Sequence, residues 1–365
     1  MLPRTRATAL LAAGALAAAA LVQAPAALAA TATYTMTDLG TLGYTSVQGT
    51  GLNASGQATG IGWLPNTVPA TGCPPKRKMC VQHPAHAFAS ADGTITDLGT
   101  LGGIFSAGES INTTGTIAGY ADLSTGAQHA AVFQGGTITD LGSLFGPSGS
   151  SEATAINDSG QVAGWTTAAN GTGEHAFLDS NGVITDLGIL PGGTFSTAAG
   201  INDAGVVVGS MDNAASDSRA FAYQDGTLTD LGTLGGPGAA AYAINASGQI
   251  VGWAQTSTDA THAFEDTGGK MTDLGAYNID TVAYAINDHG VIVGQTYGTD
   301  SSGNTFDHAF IYQNGRFQDL NTLITAGSGW ELTDATAIND NGQILVDADN
   351  TTNGDSHAFL LTPTS

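Results

Sequence analysis

Short apolar stretches alternate with turn residues along most of this chain, and the stretches recur in a fixed order. A single repeat contains four such apolar stretches, for example Glu152–Ile156, Gln161–Trp165, His175–Leu178 and Val183–Leu187. Gly, Asn and Asp residues lie between the stretches, and no segment of useful length has helical periodicity. This pattern is typical of β-strands, so the sequence predicts four short strands in each copy.

Three phrases mark the copies: His-Ala-Phe, Thr-Asp-Leu-Gly and Ile-Asn-x-x-Gly. Successive Thr-Asp-Leu-Gly aspartates are 43 to 46 residues apart after a first step of 59. We number the repeats by the phrase asparagines, which are Asn53, Asn112, Asn157, Asn202, Asn245, Asn287 and Asn339. The phrase aspartates are Asp38, Asp97, Asp140, Asp186, Asp230, Asp273 and Asp319. The phrase histidines are His86, His129, His175, His262, His308 and His357, with Arg219 at this position in the fourth repeat.

This repeat predicts an all-β fold, a seven-bladed β-propeller of four-stranded antiparallel blades. The chain begins with a lone fourth strand at residues 33–39 and ends with a lone third strand, His357–Leu361. We expect the N-terminal strand to join the C-terminal blade. That pairing closes the ring and leaves no unpaired strand edge where the chain ends meet.

The first 29 residues have the features of a cleaved signal peptide. Arg4 and Arg6 precede the apolar run Ala9–Val22, and Ala27-Leu28-Ala29 supplies an A-x-A cleavage site. The run is too short to span a bilayer. We therefore expect residues 1–29 to be removed and residues 30–365 to form a single secreted propeller domain.

Acidic residues dominate the charge of this chain. It has 31 Asp and Glu against 8 Lys and Arg, a formal net charge of −23. Such a surface repels nucleic acid and anionic membranes, so neither is expected as a partner. We expect a monomer without a cofactor. Calcium remains an alternative at acidic clusters such as Asp347-Ala348-Asp349-Asn350, although their spacing matches no standard calcium loop.

Together, the three phrases resemble the HAF-repeat family of extracellular bacterial proteins. The resemblance covers about Tyr34–Leu361 and implies secretion, but it implies no activity. Three departures from the phrases occur: Arg219 replaces His in the fourth repeat, Ala131 replaces Phe in the second, and Gln318–Asn321 replaces Thr-Asp-Leu-Gly in the last.

The phrase histidines and aspartates are interpreted as structural. In the hairpin closed at Asn181-Gly182, Phe177 is predicted to lie opposite Asp186, with His175 as the diagonal neighbour of Asp186. A buried hydrogen bond between His175 and Asp186 satisfies two polar groups at once. Metal binding is not expected, because one histidine per blade places the imidazoles too far apart to share an ion.

Aromatic residues near the ends of second strands are the candidate ligand contacts: Trp63, Tyr120, Trp165 and Trp253. They precede segments of variable length, such as Ala121–Gln128 and Ala254–Thr261, which we expect to be loops on one face of the ring. Loops on a rigid scaffold commonly carry binding sites. The aromatic rings either stack on a sugar or peptide there, or pack between blades.

The leading function is a non-catalytic binding or scaffold module, with an extracellular glycan or protein as its ligand. The alternative is an extracellular glycan hydrolase or lyase with acidic residues in the central well, which needs two facing carboxyls. Ser110 follows Gly108-Glu109 as in a nucleophile elbow, but it lies at a repeated strand position rather than in a strand-turn-helix. No catalytic residue is therefore assigned.

An insertion at residues 64–85 distinguishes the first repeat. Cys73 and Cys80 enclose three basic residues within it, Lys76, Arg77 and Lys78. In an oxidising compartment the two cysteines are expected to pair. The basic loop either binds an anionic partner or is simply solvated.

The Cys73–Cys80 disulfide is expected to act only locally, because so short a loop contributes about 2–3 kcal/mol at most in the chain-entropy treatment. Mass spectrometry of the secreted protein should find no free thiol, and reduction should leave one cooperative unfolding transition. Free thiols contradict the pairing, whereas loss of the whole fold on reduction contradicts the local effect.

Overall fold

The computed structural model describes residues 34–43, 46–66, 68–69, 81–91, 93–168, 170–275, 280–299 and 305–364. Regular structure in these ranges is β-strand, apart from the single 3-10 turn Leu320–Thr322. No helix within them is long and apolar enough to cross a membrane. The described strands belong to one compact unit, Ala32–Ser365. The predicted signal peptide, the cysteine pair and Lys76, Arg77 and Lys78 lie outside the described residues.

The strands are numbered in chain order. The first is β1, Tyr34–Asp38. The first repeat contains β2 (Val47–Leu52), β3 (Ala58–Trp63), β4 (Val68–Pro69), β5 (Val81–Gln82), β6 (Ala85–Ala91) and β7 (Thr94–Asp97). The second contains β8 (Gly102–Ile111), β9 (Ile117–Leu123), β10 (Gln128–Gln134) and β11 (Thr137–Gly142). The third contains β12 (Ser151–Ile156), β13 (Val162–Thr167), β14 (Glu174–Ser180) and β15 (Val183–Gly188).

The fourth repeat contains β16 (Ser196–Ile201), β17 (Val207–Asp212), β18 (Ser218–Gln224) and β19 (Thr227–Gly232). The fifth contains β20 (Gly235–Ile244), β21 (Ile250–Thr256), β22 (Thr261–Asp266) and β23 (Met271–Gly275). The sixth contains β24 (Asp280–Ile286), β25 (Ile292–Thr299), β26 (Thr305–Gln313) and β27 (Arg316–Asp319). The last contains β28 (Trp330–Ile338), β29 (Ile344–Asn350) and β30 (Ser356–Pro363).

These strands form several four-stranded antiparallel sheets in chain order, for example β12-β13-β14-β15. The first two repeats share one eight-stranded sheet, in which the parallel pair Ala85–Phe105 links the two repeats. The first strand of each repeat contacts the first strand of the next, from β2 to β28, and β28 contacts β2. These inner strands therefore surround a common axis.

The two ends of the described chain meet in one sheet, whose order is β1-β30-β29-β28. β1 pairs antiparallel with β30, from Tyr34 opposite Pro363 to Asp38 opposite Phe359. This is the pairing that the order of the phrases predicts. β1 supplies the fourth strand that the last repeat lacks.

Phenylalanines of the His-Ala-Phe phrase form the core between neighbouring repeats. Phe177 is fully buried and packs with Ala118 and Ala130 of the preceding repeat. On β13 of the same sheet, Gly164 lies opposite Phe177. A Cβ at Gly164 would lie 1.9 Å from the backbone oxygen of Glu152, so no other residue fits without moving the strand. Equivalent fully buried rings are Phe88, Phe221, Phe264 and Phe310.

The phrase asparagines form a closed cycle of hydrogen bonds around the axis. Each side-chain Nδ2 donates to the backbone oxygen of the next phrase asparagine at 3.0 to 3.2 Å, and Asn339 donates back to Asn53. These residues are only 4% to 7% exposed. Because buried polar groups need partners, this asparagine cycle ties every repeat to both of its neighbours.

The same asparagines close the hairpins between first and second strands. Asn157 Oδ1 accepts a hydrogen bond from the backbone N–H of Gln161 at 2.9 Å, and Gly160 takes a φ of +79°. Glycine adopts this left-handed conformation without a steric cost. One side chain therefore shapes its own turn and holds the next repeat.

The expected variable loops at the other end of the strands are shorter than predicted. β9 extends to Leu123 and β21 to Thr256, so much of Ala121–Gln128 and Ala254–Thr261 is strand. The backbone N–H of Leu123 donates to Ala127 at 2.8 Å, and that of Thr256 donates to Ala260 at 2.9 Å. Both connections are tight turns like those at the asparagines, which explains why few loop residues remain.

Replacement of Asn157 by Ala is expected to lower the free energy of unfolding by about 1–3 kcal/mol, because it removes the hydrogen bond to Asn202 and leaves the backbone N–H of Gln161 without its acceptor. Urea denaturation measures the change. Asn170→Ala is the matched control, since Asn170 is exposed and accepts only from Thr172. Equal losses for the two variants would argue against the asparagine cycle as a stabilising element.

Candidate functional site

The asparagine turns surround an opening on one side of the axis. Its volume is about 230 Å3, and each repeat contributes the phrase asparagine and the residue on either side of it. The asparagine side chains in this layer are already engaged with neighbouring carbonyls. They therefore leave little hydrogen-bonding capacity of their own for a ligand.

A second cavity lies deeper along the same inner strands, and we call it the channel pocket. Its volume is about 420 Å3. Most of its residues occupy the position three before the phrase asparagine. The lining residues are Thr50, Glu109, Thr154, Ala199, Tyr242, Tyr284, Asp334 and Thr336.

A bulge in the inner strand directs this position into the channel. In the third repeat, Ala153 and Ala155 pair with consecutive residues of β13, so Thr154 between them is the extra residue. The same register shift occurs beside Tyr242 and Tyr284. A bulge commonly re-aims a side chain in this way.

Aromatic residues extend the channel pocket toward the loop end of the strands. A cavity of about 330 Å3 shares Tyr242 and Tyr284 with the channel pocket and adds Trp253 and Tyr297. Trp253 Nε1 lies 3.3 Å from the Tyr242 hydroxyl, and the two tyrosine rings are 5.7 Å apart. The result is a half-buried aromatic wall with hydroxyl groups.

Glu109 is the most perturbed group of the channel pocket. Burial and the nearby charge of Glu152 raise the pKa of Glu109 to about 8. Burial, followed by Glu109, Glu152 and Asp122, raises the pKa of Tyr120 to about 12. Glu109 is therefore mostly protonated at neutral pH when the pocket is empty.

A second group of carboxyls comes from the last repeat. Burial raises the pKa of Asp334, and the charges of Asp307 and Asp349 raise it further. Burial also raises the pKa of Asp347 to about 8, although its Oδ1 accepts from the backbone N–H of Gly49 at 2.8 Å. No Lys or Arg is among the residues that line the channel pocket. The pocket thus combines aromatic rings with carboxyls that have no basic partner.

Comparison with solved structures shows the fold. The β-propeller domain of the trilobed protease from Pyrococcus furiosus is similar, with a TM-score of 0.51 and 9% identity, over 88% of this chain and 98% of that one. The fold is a β-propeller. That domain is described as having an open velcro topology, whereas here β1 pairs with β30.

Other similarities are weaker. TolB from Acinetobacter baumannii matches with a TM-score of 0.44 and 12% identity, over 68% of this chain and 64% of that one. A puromycin-hydrolyzing peptidase from Mycobacterium tuberculosis matches with a TM-score of 0.48 and 12% identity, over 85% of this chain and 52% of that one. This chain therefore spans less than two thirds of either protein's length.

Sequence comparison adds one family. Residues 191–358 match a family described as "Protein of unknown function (DUF3466)". No curated protein matches the sequence significantly.

The propeller brings three of the four predicted aromatic residues near the channel carboxyls. Trp253 belongs to the aromatic wall, Trp165 hydrogen-bonds Glu152, and Tyr120 lies near Glu109 and Glu152. Trp63 lies opposite Ala85 and lines neither cavity. Part of the predicted site therefore coincides with the pocket and part does not.

The phrase histidines and aspartates of the propeller are paired within each hairpin. His175 Nδ1 lies 2.8 Å from Asp186, which is paired with Phe177 on the neighbouring strand. The expectation that such pairs are buried is wrong, because the Asp186 side chain is 38% exposed and that of His175 17%. The pairs lie at the rim, where the fourth strand faces solvent. Comparable pairs join His86–Asp97, His129–Asp140, His262–Asp273, His308–Asp319 and His357–Asp38.

Each phrase aspartate also shapes the exit from its blade. Asp186 Oδ1 accepts a hydrogen bond from the backbone N–H of Gly188 at 2.8 Å. Arg219 preserves the arrangement in the fourth repeat, since its Nε lies 3.0 Å from Asp230. The aspartate therefore keeps two contacts whether its partner is histidine or arginine. It pairs with that side chain, and it accepts from the backbone N–H of the glycine two residues later.

The acidic cluster proposed for calcium is part of a strand. Asp347, Ala348, Asp349 and Asn350 all belong to β29, so they do not form a loop that wraps an ion. In the described ranges, no group of three or more His, Cys, Asp or Glu residues is arranged to hold a metal ion.

The sequence analysis did not predict the channel pocket. It did not assign Glu109, Tyr242, Tyr284 or Asp334 as ligand contacts. The repeat pattern nevertheless contained an indication of this site. The position three before the phrase asparagine varies from Ala to Glu to Tyr between repeats, while its neighbours remain small or aliphatic. Variation at one position of an otherwise uniform repeat marks a side chain that the scaffold does not need.

Replacement of His129 by Ala is expected to cost about 1–3 kcal/mol, because this side chain is only 3% exposed and its removal leaves a cavity. His175→Ala should cost only about 0–1 kcal/mol, since its aspartate remains solvated. Urea denaturation ranks the variants, with Arg219→His as a control that retains a partner for Asp230. A larger loss at His175 than at His129 would contradict the exposure argument.

Proposed function

We propose that this protein is a secreted, seven-bladed closed propeller that binds an extracellular ligand in the channel pocket without catalysing a reaction. The observation that carries the proposal is the lining of that pocket, to which the inner strand of each repeat contributes. A ligand there touches several blades at once, and a rigid scaffold holds its contacts at fixed positions.

The seven-bladed ring is supported by the asparagine cycle and by the contact between β28 and β2. The pairing of β1 with β30 supports closure by the chain ends. Secretion is supported by the signal-peptide features of residues 1–29, and the three phrases support membership of the HAF-repeat family.

The composition of the pocket favours recognition over scaffolding alone. Tyr242, Tyr284 and Trp253 offer apolar ring faces, while Glu109, Asp334 and three threonines offer polar groups nearby. Small-molecule sites commonly combine an apolar wall with a few polar groups in this manner. A purely structural channel has no need of carboxyls that lack a basic partner.

Glycan hydrolysis or cleavage is the second candidate, because Glu109 and Asp334 line the same pocket and the raised pKa of Glu109 suits a general acid. The burial of Asp334 weighs against it, since a base or nucleophile must be ionised and the pKa of Asp334 is raised too. The catalytic candidate predicts that polysaccharide digestion by the purified protein is lost in Glu109→Gln.

Glycan and peptide arrays on the purified protein provide the ligand for the main test. Trp253→Ala combined with Tyr284→Ala should abolish binding, because the change removes two ring faces of the pocket, while circular dichroism shows an intact fold. Trp63→Ala is the matched control, since it removes an aromatic residue outside the pocket. A ligand whose affinity is unchanged in the double variant, or that maps to the asparagine turns, would refute the proposed site.

A further inference from the structure

Hydrogen-bond partners distinguish Glu109 from the carboxyls around it. Glu152 Oε2 accepts from Gln128 Nε2 at 2.9 Å, and Asp347 accepts from the backbone of Gly49 at 2.8 Å. Thr333 hydrogen-bonds Asp334. No described group donates to the Glu109 carboxyl, whose pKa responds only to burial and to Glu152. Glu109 is half-buried at the wall of an open cavity. A carboxyl without a hydrogen-bond partner in such a place is available for a ligand's donor.

Aromatic rings form the opposite wall of the same pocket. Tyr242 and Tyr284 lie with their ring centroids 5.7 Å apart, and Trp253 stands beside Tyr242. The face of an aromatic ring attracts a cation, and the attraction grows when the cation is desolvated. Two independent features, an unpartnered carboxyl and an aromatic wall, therefore both favour a cationic group.

The net charge of the chain also favours a cationic ligand. The excess of acidic residues, 31 against 8 basic ones, draws cations toward the surface. No Lys or Arg of the protein lines the pocket to neutralise Glu109 and Asp334. When Glu109 ionises, no basic side chain among the lining residues can pair with it, so a cationic ligand group can take that place.

We propose that the ligand of the channel pocket carries an ammonium group, which donates a hydrogen bond to Glu109 in the cavity that Tyr242 and Tyr284 also line. The inference rests on the proposed function and specifies its ligand class. The ammonium group has two plausible carriers, an alkyl chain such as a lysine side chain or polyamine, and an aminosugar. Their shared chemistry is a cationic nitrogen with several N–H donors.

The sign of the pH dependence separates this ligand from a neutral one. The pKa of Glu109 in the empty pocket is about 8, well above the ordinary 4.5. An ammonium group binds the ionised carboxylate, so its affinity should rise toward pH 8, by up to about tenfold per pH unit, with release of a proton. A neutral acceptor binds the protonated carboxyl instead, so its affinity should fall as pH rises through 8.

Other ionisable groups surround Glu109 and enter the same profile. Those that face it from neighbouring strands or across the pocket are Glu152, Tyr120, Asp122, Tyr242, Tyr284 and Asp334. Tyr120 and Tyr284 stay neutral over this range, since burial raises the pKa of each. Glu152 and Asp334 also have raised pKa values, and their ionisation acts in the same direction as that of Glu109.

Isothermal titration calorimetry of the full secreted chain tests the inference. The probes are cadaverine for an alkyl ammonium and glucosamine for an aminosugar, with 1-pentanol and N-acetylglucosamine as neutral counterparts. Titrations run from about pH 6 to about pH 9, in two buffers of different ionisation enthalpy to count released protons. One ammonium probe should bind more tightly than its neutral counterpart. The affinity of cadaverine should rise toward pH 8, whereas that of glucosamine should stop rising between about pH 7 and 8, where its own amine loses its proton.

Glu109→Gln keeps the shape of the side chain and removes its charge. We expect it to weaken binding of the ammonium probe by about tenfold to hundredfold and to abolish proton release. The variant should be at least as stable as the parent at about pH 9, because it removes a buried carboxyl that ionises there at a cost. Asp225→Asn is the control, since it makes the same charge change at an exposed turn.

The outcomes separate the two proposals. A neutral probe or array ligand that depends on Trp253 and Tyr284, and binds more weakly as pH rises, overturns the ammonium inference but retains the proposed binding site. If Asp225→Asn weakens ammonium binding as much as Glu109→Gln does, the binding depends only on the overall negative charge of the protein. That result overturns the inference. If no probe and no array ligand depends on the pocket residues, both proposals fall.

Discussion

The asparagine cycle is the interaction on which the rest of this propeller depends. Each phrase asparagine uses its oxygen locally, to shape a tight turn, and its nitrogen distantly, to hold the next repeat. The donor is satisfied only if the next repeat is in place, and Asn339 finds its acceptor only in the first repeat. Because these amides are buried, a gap anywhere leaves a side-chain N–H donor without its acceptor. The repeats are therefore stable as a closed set.

Close packing between repeats supports the cycle. The rings at Phe177 and its equivalents fill the space between sheets. Gly200 allows the next repeat to approach, because a Cβ there would lie 3.0 Å from the backbone oxygen of Tyr242. Hydroxyl groups add a polar link: Ser196 Oγ donates to the carbonyl of Gly188 and accepts from Ala176 N–H, joining the fourth repeat to the third. Small residues predominate because the inner strands leave no room for larger ones.

Since turns, rings and glycines carry the scaffold, the bulged position of each inner strand is free to vary. Thr50, Glu109, Tyr242 and Tyr284 occupy equivalent places in different repeats, yet they differ in size and charge. This separation between scaffold positions and the bulged position also explains the electrostatics of the pocket. Its carboxyls are partly desolvated by a scaffold that supplies no positive charge, and their raised pKa values follow from that burial. A site of this kind can be changed without disturbing the ring around it.

The sequence by itself determined the local structure of this protein. The spacing of the phrases predicted the hairpins, the contact between His175 and Asp186 and the pairing of β1 with β30, because each depends on strand alternation or on the order of strands. Only the tertiary structure decided which side chains meet at the axis. The bulge at Thr154 breaks the alternation, and the partner of Asn157 lies 45 residues away in another repeat. Contacts of that kind depend on how many sheets surround the axis and how they tilt. For the same reason, the cluster around Glu109 and its desolvation exist only in the assembled ring.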